Sequence, residues 1–263
     1  MSRSTSITTR SQCTSVSRAP TALSAKRQPR GSSGRKSREK LTSLAAEKDL
    51  RKRGYRYIIG ADEAGRGALA GPVVAASCCI LADDIDTGMT PIAGVDDSKA
   101  LTQTDRERIF AEVMDRPDLY AVHVAEVSNE QIDDTNVLVA TMDCFRQAIE
   151  ELVEREGFDA EDCYAIVDGK KSPKLVNAPG LSCRPWVKAD TEVYSVAIAA
   201  IVAKVTRDKL MTEAHDAYPL FEFDVNKGYS TRSHVVAIHT HGACLLHRMS
   251  FAALKGREVM NKN

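Results

Sequence analysis

The sequence lacks a C-x-x-C pair, and it lacks any long apolar run. Its seven cysteines include the neighbours Cys78 and Cys79, but their spacing suits neither a zinc site nor a disulfide framework. The longest strand-like apolar run, from Val73 to Leu81, is only about half as long as the roughly eighteen residues of a membrane span. We therefore expect a protein with reduced thiols in an intracellular, most simply cytoplasmic, compartment.

Net charge is also absent, but only because two regions of opposite sign cancel. Residues 1–53 hold 14 Lys and Arg against 3 Asp and Glu, so the rest of the chain holds 22 against 33. The first 38 residues contain no acid and too little apolar surface to fold. We predict that residues 1–53 are a disordered basic tail or a mitochondrial or plastid transit segment, and that residues 54–263 form one domain.

The body of the chain alternates strand and helix patterns, which predicts an α/β fold with a mixed sheet flanked by helices. Strands are expected at 57–61, 73–81, 120–127 and 164–167, and a helix at 103–115. A longer helix should bury one apolar stripe at the spacing of helical turns, formed by Leu138, Met142, Phe145, Ile149 and Leu152.

Two further helices should complete the domain and give it a smaller helical C-terminal region. Thr191 is a plausible N-cap for an alanine-rich helix from Val193 to about Ala214. Ser230 or Thr231 should cap a last helix that closes near Gly242.

Acidic residues stand where predicted strands end. Asp62 and Glu63 follow the buried pair Ile58 and Ile59, and a strand should not end on two unpaired acids unless something cationic lies there. Adjacent strand side chains point to opposite faces, so these two acids can share a cleft only if the strand distorts, for which Gly65 offers a place.

Two more acids occupy similar boundaries. Asp168 ends another apolar strand, and Asp190 lies at a helix start, where the helix dipole alone also favours an acid. Magnesium prefers carboxylate and water oxygens, and a site with two ions could stabilise both the attacking and the leaving oxygen of a phosphodiester. The pattern favours one acidic cleft for divalent metal.

The stretch I-I-G-A-D-E-A-G-R-G-A-L-A-G-P from Ile58 to Pro72 resembles the first motif of the ribonuclease HII family. Later stretches follow the order of that family, and the likeness runs from about Tyr57 to Phe251. They are Asp97-Ser98-Lys99, Ile166-Val167-Asp168-Gly169, the run from Lys188-Ala189-Asp190 to Asp208, Lys227-Gly228-Tyr229-Ser230-Thr231 with His234, and Gly242 to Phe251 with His247-Arg248. Ala68 and Ala200 depart from the family pattern, which usually has proline and serine there.

The resemblance implies a ribonuclease H-like fold and an endoribonuclease that cuts the RNA strand of RNA/DNA hybrids. It also implies cleavage 5′ to ribonucleotides embedded in duplex DNA, giving 3′-hydroxyl and 5′-phosphate ends, in support of DNA replication and repair. The implied ligands of two Mg²⁺ or Mn²⁺ ions are Asp62, Glu63, Asp168 and Asp190. No obligatory protein partner is implied.

For the substrate, the resemblance gives Gly65-Arg66-Gly67 the role of sensing the 2′-hydroxyl, which separates RNA from DNA at a sugar. It gives Tyr229 the role of contacting the deoxyribose after the ribonucleotide. We add Lys99 as a phosphate ligand. A basic strip should cross the acidic body and reach the phosphates, and its candidate members are Lys99, Lys170, Lys171, Lys174, Lys188, Lys204, Arg207 and Arg232.

Other functions remain open from the residues alone. A DNA endonuclease or resolvase could use the same fold and acids, and a non-catalytic RNA-binding module could carry them as structural residues. The glycine spacing fails the P-loop pattern, which disfavours a nucleotide triphosphatase. His234 and His247 are predicted to pack or to form hydrogen bonds, and a metal pair formed by His239 and His241 is improbable.

Overall fold

A mixed five-stranded sheet positions the acidic residues. The computed structural model describes residues 42–81, 85, 90–96 and 98–259, all within one compact unit of the chain. Its elements, in chain order, are α1 (Ala45–Lys52), β1 (Tyr57–Ala64), β2 (Val73–Ile80), α2 (Gln103–Met114), β3 (Tyr120–Val127), α3 (Asn129–Asp134), α4 (Val137–Glu156), β4 (Cys163–Asp168), β5 (Ser182–Trp186), α5 (Ala189–Glu192), α6 (Tyr194–Ala217), α7 (Phe223–Asn226) and α8 (Arg232–His241).

The strand order is β3-β2-β1-β4-β5, so β1 is central. It pairs with β2 in antiparallel and with β4 in parallel orientation, and β2 and β3 are antiparallel while β4 and β5 are parallel. This confirms the predicted α/β class with a mixed sheet flanked by helices.

Helices cover both faces of the sheet. Successive side chains of β2 point to opposite faces, so they pack against different helices. Ala75 packs in a core with Phe145 and Ile149 of α4, whereas Ala76 packs with Ile198 and other residues of α6. A Cβ at Gly60 would collide with the main chain of α6, so glycine lets that helix lie directly on β1.

The smaller C-terminal region has a core of its own. Leu69 and Ala70, from the loop after β1, pack there against Met211 of α6 and against Phe221 and Phe223. Thr231 caps α8 by accepting from the main-chain N–H of His234, and the helix ends at Gly242, as predicted. None of the helices in the described ranges is long and apolar enough to cross a membrane.

The predicted boundary at residue 53 is wrong. Residues 42–53 pack on the body: Leu50 is buried against Ile58 and Val196, and Glu47 accepts hydrogen bonds from the N–H and the hydroxyl of Ser195. The basic, serine-rich composition of this region did not indicate the short helix α1. The buried acid of α1, Glu47, has its partner Ser195 far along the chain. The rest of the predicted tail, residues 1–41, lies outside the described residues.

Two local predictions also need correction. Thr191 does not cap the long helix, since its hydroxyl donates to the Lys188 carbonyl and Val193 precedes α6 without a side-chain cap. On α4, Phe145, Ile149 and Leu152 of the predicted stripe are buried in the core, together with Cys144 and Ala148, whereas Leu138 and Met142 are half-exposed.

Candidate active site

β1 carries the first two acids without distortion. Its pairing with β2 runs unbroken through Asp62, opposite Ala76, and Glu63, opposite Ala75. The strand therefore does not bulge at these residues, and that prediction was wrong. Pairing with β4 ends at Ala61, opposite Val167, so Asp62 lies level with Asp168, the last residue of β4, and Glu63 lies beyond the end of that strand. Side chains from both faces of β1 can reach the opening left there.

Asp168 and Asp190 come from the next strand and the short helix that follows β5. Asp168 is the last residue of β4, and its Oδ1 accepts from the main-chain N–H of Ala189 at 2.8 Å. Lys188 has a left-handed conformation with φ of 64°, and this turn starts α5 and buries Asp190. The hydrogen bond to Ala189 thus joins the two acidic segments.

One cavity of about 400 Å³ collects nearly all of the predicted site residues. Asp190 does not line this cavity itself but contacts Lys99, which does, with 3.4 Å between Nζ and Oδ2. Ala64, Ser98, Arg106, Ala200 and Lys204 complete the wall, and Asp97 of the same motif lies outside the described residues. The predicted residues that line it are Asp62, Glu63, Gly65, Arg66, Gly67, Lys99, Asp168 and Tyr229.

The carboxylates raise one another's pKa. Burial raises the pKa of Asp62 well above its ordinary value, and the nearby charges of Glu63 and Asp168 add to the effect. Burial also raises the pKa of Glu63, against the opposing effect of Arg66. For Asp168, burial and the charge of Asp190 raise the pKa, while main-chain N–H groups oppose them. Such a cluster of buried like charges is stabilised by a cation.

Two cationic side chains of the protein lie beside the acids. Among the residues that the structure describes, no group of three or more His, Cys, Asp or Glu side chains is arranged so that it could hold a metal ion. Nζ of Lys99 forms an ion pair with Oδ2 of Asp190, and Nη1 of Arg66 lies 3.6 Å from Oε1 of Glu63. The donor chemistry fits a hard divalent cation, but the assignment of the acids as its ligands stays a prediction.

The two glycines of the Gly65-Arg66-Gly67 loop have different tasks. Gly65 has φ of +89°, and a Cβ there would collide with the side chain of Arg207, so the fold itself requires glycine. A Cβ at Gly67 would meet open space. Gly67 therefore leaves the loop accessible from the cavity without being needed for packing.

Tyr229 also lines this cavity and is half-buried. Its ring has two cations nearby, with Lys204 Nζ 5.5 Å and the Arg207 guanidinium carbon 5.3 Å from the ring centre. Its main-chain carbonyl is 2.8 Å from Nδ1 of His234. The residue is thus fixed by its surroundings while one part of it remains open to the cavity.

The predicted basic strip converges only in part. Lys99 and Lys204 line the cavity, but Lys171 and Lys174 line a different pocket beside α4. Arg207 is fully buried and donates to main-chain carbonyls, so it is not available to phosphate, and its place in the strip was wrong.

Arg106 was not identified from the sequence as a residue of the site, although it lines the cavity. Its Nη1 donates to the carbonyls of Ser98 and Leu101, which holds the loop that carries Lys99 against the cavity. Its place in the first turn of α2, just after the Thr102 cap, was the signal available in the sequence.

The two family histidines form a buried pair, which confirms their predicted packing and hydrogen-bonding role. His247 Nδ1 accepts from the main-chain N–H of Cys244, and its Nε2 lies 3.1 Å from Nε2 of His234. Burial lowers the pKa of both rings, and that of His247 falls to about 4. With both rings neutral, Nε2–H of His247 donates to Nε2 of His234, and Nδ1–H of His234 donates to the Tyr229 carbonyl. The pair thus links the Cys244 amide to the Tyr229 carbonyl.

The family model described as Ribonuclease HII matches residues 59–254. A ribonuclease HII of Sinorhizobium medicae is 42% identical over 210 residues, which cover 79% of this chain and 88% of that protein. A ribonuclease HII of Xanthomonas axonopodis pv. citri is 43% identical over 77% of this chain and 78% of its own length.

Solved structures agree with the fold. The crystal structure of ribonuclease H2 from Pyrococcus horikoshii has a TM-score of 0.52 and 25% identity, and the match covers 76% of this chain and 95% of that one. The structure of Bst-RNase HIII in complex with Mn²⁺ has a TM-score of 0.57 at 21% identity, over 78% of this chain and 70% of that one.

Proposed function

The chain belongs to the ribonuclease HII family, and we propose that it cuts the RNA strand of RNA/DNA hybrids and the 5′ side of ribonucleotides embedded in duplex DNA. Membership makes it a metal-dependent endoribonuclease of the ribonuclease H type. The observation that carries the proposal is the meeting of Asp62, Glu63, Asp168 and the Gly65–Gly67 loop in one cavity with Tyr229.

The four acids would hold the divalent cations. Asp62 is the central candidate, because it is only 6% exposed and has three other carboxylates near it. When bound, two Mg²⁺ or Mn²⁺ ions supply stabilisation of the charge that develops on the attacking and leaving oxygens. Asp168 is oriented by the Ala189 amide, and Lys99 forms an ion pair with Asp190.

The substrate would lie between the glycine loop and Tyr229. The open space at Gly67 lets a sugar approach the main chain closely, where N–H and C=O groups can contact a 2′-hydroxyl. The half-buried Tyr229 ring offers a flat surface for the following deoxyribose. Arg66, Lys99 and Lys204 supply positive charge for the phosphates around an acidic body.

Cleavage of three end-labelled duplexes tests this proposal. One carries a single ribonucleotide, one is all DNA, and one is a continuous RNA/DNA hybrid, each with Mg²⁺, with Mn²⁺ or with EDTA. We expect cleavage of the first and third with either metal, 3′-hydroxyl and 5′-phosphate ends, and no product in EDTA. Cleavage of the all-DNA duplex at a comparable rate would instead identify a DNA endonuclease, and binding without cleavage would identify an RNA-binding module.

The biological setting is also a proposal. Cleavage beside embedded ribonucleotides would support their removal during DNA replication and repair, in the cytoplasm or, if the N-terminal segment is a transit peptide, in an organelle. Imaging of the full chain and of a chain without residues 1–41, each fused to a fluorescent protein at its C-terminus, tests the location. A shift from organelle to cytoplasm on deletion would identify the segment as a transit peptide.

A further inference from the structure

Arg207 of α6 is a fully buried cation whose hydrogen bonds, within the described residues, all go to main-chain carbonyls. Its Nε donates to Pro72 at 2.9 Å, and Nη2 donates to Ala70 at 3.0 Å. Nη1 donates to Lys227 at 2.9 Å. A buried guanidinium is costly unless its donors are satisfied, so these carbonyls are held in a fixed arrangement around it.

Those carbonyls belong to two separate segments of the chain. Ala70 and Pro72 end the loop that begins with Gly65, whereas Lys227 directly precedes Gly228 and Tyr229. The planar guanidinium, with donors that point in fixed directions, therefore sets the separation of the two segments. The Arg207 guanidinium also lies 5.3 Å from the centre of the Tyr229 ring, so the same group supports the ring that faces the cavity.

Direct contact between the two segments is close as well. The main-chain N–H of Leu69 donates to the Gly228 carbonyl at 2.8 Å. A Cβ at Gly228 would stand 2.6 Å from the Ala70 carbonyl oxygen, and Gly228 has φ of +79°. No room is left between the segments for even one additional methyl group.

Arg248 is a natural comparison, because it is equally buried and also binds carbonyls. Its donors reach Arg66 at 3.1 Å, Gly71 at 2.8 Å and Pro72 at 3.1 Å. All three belong to the glycine loop. Arg248 thus shapes one segment, whereas Arg207 joins both.

We propose that Arg207 is a positioning residue that fixes the distance between the glycine loop, which senses the 2′-hydroxyl, and Tyr229, which reads the next sugar. The residue touches neither substrate nor metal, and it acts through the two segments. This inference rests on the proposed function of those segments. It makes Arg207 a determinant of selectivity for an isolated ribonucleotide over a continuous RNA strand.

The experiment compares kcat/KM on the single-ribonucleotide duplex with kcat/KM on the continuous hybrid. Arg207→Lys keeps the charge but loses the planar set of donors, so it cannot hold both segments. We expect the ratio of the two values to fall about tenfold, which corresponds to about 1.4 kcal/mol. Arg248→Lys, the matched control, should lower both values by a similar factor and leave the ratio within about twofold, or roughly 0.4 kcal/mol.

A double-mutant cycle tests whether Arg207 acts through Tyr229. If it does, Arg207→Lys combined with Tyr229→Ala should change the ratio no further than Tyr229→Ala alone. Equal fractional losses on the two substrates for Arg207→Lys, or effects that add in the cycle, would overturn the proposal and leave Arg207 as a packing residue.

Gly228→Ala provides a second variant that retains the buried charge, in case Arg207→Lys does not fold. Its Cβ must push the segments apart at the Ala70 carbonyl, so it should reproduce the selective loss on the single ribonucleotide. An unchanged ratio for a folded Gly228→Ala protein would contradict the proposal.

The wild-type protein separates this inference from the function on which it rests. Failure of wild type to cut either duplex would reject the proposed function itself. Normal cleavage by wild type, with an unchanged ratio in the variants, would reject only the role of Arg207.

Discussion

Leu50 holds α1 against the body, and we expect Leu50→Ala to destabilise the protein although the residue lies in a basic, serine-rich part of the sequence. Its side chain is 6% exposed and packs against Ile58, Val193 and Val196. The same small core contains Ala189, whose main-chain N–H donates to Asp168. Helix α1 is therefore part of the support beneath the acidic segments.

The size of the effect follows from the burial of Leu50. Truncation of a buried leucine to alanine costs about 2–5 kcal/mol, and we expect about 2–3 kcal/mol because a short peripheral helix can settle into part of the space. For a unit of this size, each kcal/mol lowers the melting temperature by about 2–4 °C, so the decrease should be roughly 4–12 °C.

Thermal unfolding followed by circular dichroism measures this decrease, and Asp49→Ala is the control on the same helix. Among the described residues, the Asp49 side chain forms one exposed ion pair, with Arg53. Such a pair is worth about 0–1 kcal/mol, so its loss should change the midpoint little. Deletion of residues 1–41 should also leave the midpoint unchanged, whereas deletion of residues 1–53 should give an unstable or insoluble product. Equal midpoints for Leu50→Ala and wild type would refute the packing role of α1.

Three further predictions concern the site and its supports. Asp168→Asn should lower cleavage by orders of magnitude while the metal-free protein keeps its melting temperature, since it removes a charge from a repulsive cluster; near-normal turnover would reject its role. Tyr229→Ala should lower kcat/KM on a single ribonucleotide more than on a continuous hybrid, and an equal fractional loss on both substrates would leave Tyr229 a packing residue. Gly67→Val should lower kcat/KM on both substrates without loss of stability, because a Cβ at Gly67 meets open space. Burial lowers the pKa of His247 to about 4, below its unfolded value of about 6.5, so the stability it contributes is present above pH 6.5 and is lost as the pH falls toward 4, by up to about 3 kcal/mol. Urea unfolding across this range should show the loss in wild type and in exposed His239→Gln but a smaller one in His247→Gln.

The sequence predicts four of the five strands, all but β5, and places Asp168 at a strand end, because both features depend on local patterns. β3 has the predicted bounds, and β4 ends on Asp168 as expected from its apolar run. The motifs also identify the loop and Tyr229, which the fold brings to one cavity. Strand ends and glycine turns are local features, so a single chain reveals them without knowledge of its packing.

Features that depend on distant partners could not be predicted in this way. Glu47 is buried because Ser195, 148 residues away, donates to it, and nothing near Glu47 indicates this. From the sequence, Arg207 is predicted to belong to the basic strip that reaches the phosphates. In the fold, it donates instead to main-chain carbonyls of two loops. Asp62 and Glu63 line one cavity at the end of the β1–β4 pairing, and β1 stays regularly paired with β2 through both residues.

The metal dependence of cleavage at a single embedded ribonucleotide, measured for wild type and for four single variants, tests the role of the acidic cavity most directly. The variants replace each carboxylate by its amide, which keeps its shape and removes its charge, and Glu107→Gln on the surface of α2 serves as the control. We expect Mg²⁺ or Mn²⁺ to restore rapid cleavage after EDTA treatment in wild type and in the control, but not in any of the four. Near-wild-type rates at the same metal concentration in two or more of them would contradict the assignment of the metal site. The four variants are Asp62→Asn, Glu63→Gln, Asp168→Asn and Asp190→Asn.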